Sequence, residues 1–119
     1  MSQAEKLYRE SVLLAEQADI ARIKHPQVDY KGLFEQAFVL QKQAAQWMSP
    51  EEVYPMYRTE MMQSAAALAY KAGKMEEAEK MIALCRSENP PAFVEQDLKK
   101  LEALIRQATA TPPKNGSLQ

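Results

Sequence analysis

The chain repeats itself at a spacing of 41 residues. Gly32-Leu33-Phe34-Glu35-Gln36-Ala37 recurs as Gly73-Lys74-Met75-Glu76-Glu77-Ala78, Ala44 recurs as Cys85, and Ser49-Pro50 recurs as Pro90-Pro91. Each copy reads as a tight turn on glycine, an apolar residue, two polar or acidic residues, and an alanine that opens a second helix. A unit of this kind cannot bury its apolar face alone, so self-similarity at this period predicts helical hairpins stacked on one another. Such arrays work by presenting a surface to another molecule. Binding of a partner is therefore the expected class of job.

The remaining composition narrows that class. At 119 residues the chain is sized for one domain, large enough to bury a core without disulfides or a structural metal. Its 15 basic and 16 acidic residues leave a net charge of −1, which gives no general attraction to nucleic acid or to anionic lipid. Good helix formers dominate, and alternating β-branched runs are absent, so no strand is expected. The lone Cys85 has no internal partner and fits a reducing cytoplasm. The segment Met1-Ser2-Gln3-Ala4-Glu5-Lys6 has no signal-like apolar stretch, and no run approaches the roughly 18 residues of a membrane span. The expectation is a soluble, cytoplasmic, all-α chain.

Helix 1 is predicted from about Gln3 to Lys24, with Ala4, Leu7, Tyr8, Ser11, Leu14, Ala15, Ala18 and Ala21 on one buried stripe. Pro26 ends it. Helix 2 starts near Asp29 as N-cap or slips toward Leu33, because Gly32 sits in its first turn. Its apolar side holds Tyr30, Leu33, Phe34, Ala37, Phe38, Leu40, Ala44 and Ala45. The run Ser49-Pro50-Glu51-Glu52 is a strong start signal, but Pro55 interrupts it. A short turn over 50–54 followed by helix 3 from Pro55 to Ala72 satisfies both, with Gly73 as the C-terminal stop. Helix 4 covers Met75 to Ser87, burying Met75, Ala78, Met81, Ile82 and Cys85. Helix 5 runs from Pro91 to about Ala108, burying Val94, Leu98, Leu101, Leu104 and Ile105. The tail 109–119, with two prolines and a glycine, reads as disordered. The domain is thus residues 1–108.

Residues 57–90 resemble a tetratricopeptide repeat. The resemblance rests on small residues at Ala66 and Ala69, Gly73 closing the first helix, Met75 at an aromatic or apolar position, Ala78 at the close-packing alanine, Ile82 at the large apolar position, Cys85 at the next small one, and the ending Asn89-Pro90. Small residues let two antiparallel helices approach closely. Residues 4–50 resemble a distorted copy through Gly32, Phe34, Ala37, Ala44 and Pro50. Looping out about seven residues around 24–30 then brings Ala18 opposite Ala66 and Ala21 opposite Ala69. Helix 5 (91–108) reads as a cap over the second hairpin, since Lys100 falls where a small residue belongs. An ordinary four- or five-helix bundle without repeat ancestry is the competing architecture.

Candidate chemistry is sparse. His25 has no second histidine to share a metal or a proton, and reads as an exposed turn residue. Cys85 sits toward a helix C-terminus and reads as a small buried hydrophobe rather than a nucleophile. The cluster Glu76, Glu77 and Glu79 with Lys74 and Lys80 reads as a solvated face. No catalytic site, cofactor or metal motif is expected, and the chain is not expected to be an enzyme. Trp47, Met48, Tyr54, Met56, Tyr57, Met61 and Met62 crowd one junction, and not all of them fit one buried stripe, because Met61 and Met62 lie about 100° apart on a helix. The tetratricopeptide resemblance implies that Glu60, Gln63, Ala67, Tyr70 and Lys71 face a groove beside helix 1. Gln63 and Ala67 stand where the carboxylate-binding subset of that family has lysine and asparagine, which argues against capture of a peptide C-terminus. The expected partner surface is this groove or the patch with Trp47, Tyr54 and Tyr57, holding a protein or peptide. Self-association through the patch, as a homodimer, is the alternative.

Overall fold

A computed structural model of the protein describes residues 2–48 and 55–110, positions 55 and 56 by backbone alone. Five helices follow one another: α1 (Gln3–Lys24), α2 (Tyr30–Trp47), α3 (Pro55–Lys71), α4 (Met75–Ser87) and α5 (Ala92–Ala110). The described residues contain no strand. α1 packs chiefly on α2, and α3 on α4, making two antiparallel hairpins. α2 and α3 join the hairpins, and α5 lies against both helices of the second one. The expected turn over 50–54 falls outside the described residues.

Local chemistry sets where each helix begins and ends. Ser2 and Glu5 form a capping box on α1: the Glu5 N–H donates to Ser2 Oγ (3.1 Å) and the Ser2 N–H to Glu5 Oε1 (3.0 Å). Asp29 caps α2 by accepting from the Gly32 N–H at 3.0 Å. This holds the helix start at Tyr30 rather than letting it slip. A Cβ at Gly32 would fall 2.4 Å from Asp29 Oδ2, so the glycine gives the capping carboxylate its room. Gly73 does a different job at the same repeat position. At φ +79 it closes α3 in a Schellman motif, with the Lys74 N–H on the Ala69 carbonyl and the Gly73 N–H on that of Tyr70. α4 ends on Asn89 in the same left-handed region (φ 52), just before Pro90. α5 extends two residues past Ala108, and Thr109 Oγ1 donates to the Ile105 carbonyl at 3.0 Å. The rest of the expected tail, 111–119, lies outside the described residues.

One core runs through both hairpins. It takes in Leu7 and Ala18 of α1, Phe34, Ala37 and Ala44 of α2, Ala78 and Cys85 of α4, and Val94, Leu98 and Ile105 of α5, all buried. α3 is the centre. Met61, Met62, Ala65, Ala66, Leu68, Ala69 and Ala72 are all buried, because α2 covers one flank of α3 while α4 and α5 cover others. Both neighbouring methionines are therefore inside, where one stripe would have admitted only one. Two residues expected inside are exposed. Tyr8 lies at the edge of the α1 stripe with no described helix over it, and Leu104 lies on the outer face of α5, beyond which no described residue packs. No described helix is long and apolar enough to cross a membrane.

Candidate functional site

The N-terminal halves of α1 and α3 run side by side with the C-terminal half of α2 beneath them, leaving a cleft of about 490 Å³. Its walls are Tyr8 and Glu5 from α1 and Tyr57, Glu60 and Ser64 from α3. Its floor is built by Met61, Gln41 and Met48. Gln41 is a buried amide that sequence periodicity passes over, and it ties three helices together. Its Nε2 donates to the Met61 carbonyl at 3.1 Å, and its Oε1 lies 3.2 Å from Ser11 Oγ. Ser11 Oγ also reaches the Tyr8 carbonyl at 2.7 Å, so its single proton serves one of these two acceptors. The cleft floor is held in place by this amide, because moving Gln41 away from Met61 and Ser11 leaves its own buried polar ends without partners.

The far rim is held by Arg58, which sequence reasoning passed over. Its Nε donates to both carboxylate oxygens of Glu88 (2.8 and 3.0 Å), and its Nη1 to the carbonyls of Ala45 and Met48 (2.5 and 2.6 Å). One guanidinium therefore caps the C-terminus of α2 and binds the end of α4. Arg58 stands in α3 where the first hairpin carries Glu10, so comparing the two copies gives no warning of it. A guanidinium among apolar residues of a helix is the signal that was available.

The expected site residues separate into groups. Tyr57, Glu60 and Gln63 line the cleft. Ala67 and Tyr70 are partly buried against the core, and Lys71 lies with its Nζ 5.5 Å from the Phe34 ring centroid in a cation–π contact. None of these three lines the cleft among the described residues. Trp47 is 64% exposed and Tyr57 52% exposed, while Met48 is half-buried and Met61 and Met62 are buried. The aromatic and methionine junction is therefore partly core and partly surface. Tyr54 and the Met56 side chain lie outside the described residues.

Charge in the cleft has one sign. Glu5 and Glu60 are carboxylates, and no basic side chain is among the described lining residues. The Ser2 backbone N–H, and then the Ser2 hydroxyl, hold Glu5 below the usual carboxylate range. Elsewhere, burial first, then Glu88 and Glu95, push the Cys85 thiol up to about 11. Cys85 is fully buried and donates to the Thr59 carbonyl at 3.4 Å. His25 is exposed at the end of α1. Among the described residues, no three of His, Cys, Asp and Glu gather into a group that could hold a metal ion. No family model, curated protein or solved structure matches this chain.

Proposed function

We propose that this chain is a non-catalytic protein–protein interaction module, an adaptor or regulator built from tetratricopeptide-like hairpins, that holds a short segment of a partner protein in the α1/α3 cleft. The observation that carries this reading is the make-up of the cleft: two tyrosines over a methionine floor, with two carboxylates at the edge and no described cation among them. Amphipathic aromatics at a preformed concave site supply large contact area at low entropic cost, and adaptable methionines suit apolar anchors. The fitting ligand is a peptide segment with an aromatic or aliphatic anchor between Tyr8 and Tyr57. A lysine or arginine a few residues away would face Glu5 and Glu60. A cytoplasmic setting is in keeping with the free thiol of Cys85.

The test is selection of a randomised peptide library on the immobilised full chain, followed by titration calorimetry of enriched peptides. Enriched sequences are expected to pair an apolar anchor with a nearby basic residue. Tyr57→Ala and Glu60→Lys, each checked for unchanged helicity by circular dichroism, are expected to weaken binding roughly tenfold or more. Absence of enrichment, or binding indifferent to both substitutions, would overturn the reading.

A further inference from the structure

The outer edge of α1 carries apolar side chains that no described residue covers. Leu13 is 58% exposed, Ile20 54% and Ile23 69%. Scattered exposed leucines and isoleucines such as Ile23 are ordinary, but Leu13 and Ile20 belong to a pattern. Glu10, Leu13, Gln17, Ile20 and Lys24 follow one another at spacings of three and four, which places them on one seam of the helix. The terminal unit of a stacked array is expected to present a polar outer face. This one does not.

The internal repeat shows what such a seam does. Aligning Ala18 with Ala66 also pairs Ser11 with Thr59, and both hydroxyl residues are buried. Ser11 meets Gln41 in the following helix of its hairpin, and Thr59 meets Cys85 in the following helix of the other. In that register Leu13, Gln17, Ile20 and Lys24 of α1 correspond to Met61, Ala65, Leu68 and Ala72 of α3. These four are buried, and Met61 sits in the floor of the cleft that α1 and α2 also line. The register that α3 buries is thus occupied on α1 by Leu13 and Ile20 with no described neighbour over them. A groove of about 820 Å³ runs beside it, with Leu13, Leu14, Val39 and Leu40 in its lining.

We propose that a second copy of this chain covers that seam, α1 against α1 in antiparallel orientation about a dyad at Gln17. The seam is self-complementary in that register. Glu10 and Lys24 each stand seven residues from Gln17, about 10 Å along the helix, so Glu10 of one copy meets Lys24 of the second copy at both ends. Leu13 and Ile20, four and three residues from Gln17, differ in level by only about 1.5 Å, so each packs against the other of the second copy between those ends. Glu10 and Lys24 are exposed, and neither makes an ion pair among the described residues. A dyad closes the assembly at two copies, whereas stacking α1 on the far end of another copy would leave an open filament. The cleft, reached from Ala4, Glu5 and Tyr8, opens on another side of α1 and stays accessible in both copies.

Sedimentation equilibrium of the full chain from low to high micromolar concentration tests this. The mass is expected to rise from 13.5 kDa toward twice that value and no further. Ile20→Glu, with helicity unchanged, is expected to remain at the monomer mass. Glu10→Lys and Lys24→Glu are each expected to weaken the dimer about tenfold, and the double exchange to restore it. A monomer at every concentration, growth beyond two copies, a dimer indifferent to Ile20→Glu, or a double exchange that fails to restore pairing would each overturn the proposal.

Discussion

Gln41 illustrates how a single polar side chain governs a core of alanines and methionines. Its amide spends its hydrogen bonds on Met61 of α3 and Ser11 of α1, so its contribution depends on what replaces it. Leucine keeps the volume and removes both polar ends. The Met61 carbonyl keeps its place in the helix ladder, and the Ser11 hydroxyl keeps the Tyr8 carbonyl. Gln41→Leu is therefore expected to shift stability by less than about 1 kcal/mol. Gln41→Ala leaves a cavity and is expected to cost about 2 kcal/mol. Gln41→Glu places a carboxylate against the Met61 carbonyl and is expected to be the worst of the three at neutral pH. Urea denaturation of the three variants gives the order, and a leucine variant as unstable as the glutamate one would refute this account. The residue was hidden in the sequence because a glutamine on an otherwise apolar face reads as a boundary position. Only the approach of three helices at that point makes it interior.

At the scale of elements, the junction of α2, α3 and α4 is held by Arg58. The guanidinium is only 16% exposed and has four acceptors. Removing it takes the guanidinium from the Met48 carbonyl, leaves the Ala45 carbonyl with the Met48 N–H alone, and leaves Glu88 without its cation. Arg58→Ala is expected to cost about 3 kcal/mol in urea denaturation, and Arg58→Lys to recover little, because an ammonium cannot fork between a carboxylate and two carbonyls. A loss within about 0.5 kcal/mol, the range of ordinary surface changes, would show that the clamp is incidental. The helices themselves were legible: periodicity, Gly73 and the Asn89-Pro90 ending locate α1, α3 and α4 to within a residue, and Asp29 marks the start of α2, which Gly32 had left open toward Leu33. Local chemistry writes those signals, so one sequence carries them. Clamps such as Arg58, and exposed seams such as that on α1, arise from which helix lies beside which. Comparing the two repeats hides them further, since Arg58 aligns with Glu10 and the buried Leu68 with the exposed Ile20. Of the expected site, Tyr57, Glu60 and Gln63 come together, while Ala67, Tyr70 and Lys71 lie further along α3.

For the molecule as a whole, the order in which parts detach follows from how α5 is attached. It buries Val94, Leu98, Leu101 and Ile105 on the second hairpin, and it is pinned by Arg86 of α4. Arg86 Nε donates to the two Glu95 oxygens at 3.1 and 3.0 Å, and its Nη1 and Nη2 to Glu102 at 2.6 and 2.8 Å. The guanidinium holds Glu102 below its ordinary pKa of 4.5. The folded state therefore binds a proton there less readily than the unfolded chain. The clamp contributes in full above pH 4.5 and is lost as pH falls through the lower folded-state value. Its three side chains are about a third exposed, so water screens the pair and the loss is expected to be about 1 kcal/mol. α3 is enclosed by α2, α4 and α5, so its backbone stays covered by apolar packing when the Arg86 clamp is released. Hydrogen exchange followed from neutral pH to below 4.5 is accordingly expected to lose protection in α5 before α3, once corrected for the intrinsic pH dependence of exchange. Glu102→Gln is expected to lower α5 protection at neutral pH and to flatten its dependence in the acid window. If the glutamine variant kept the same acid profile, a group other than the Arg86–Glu102 pair would be releasing α5.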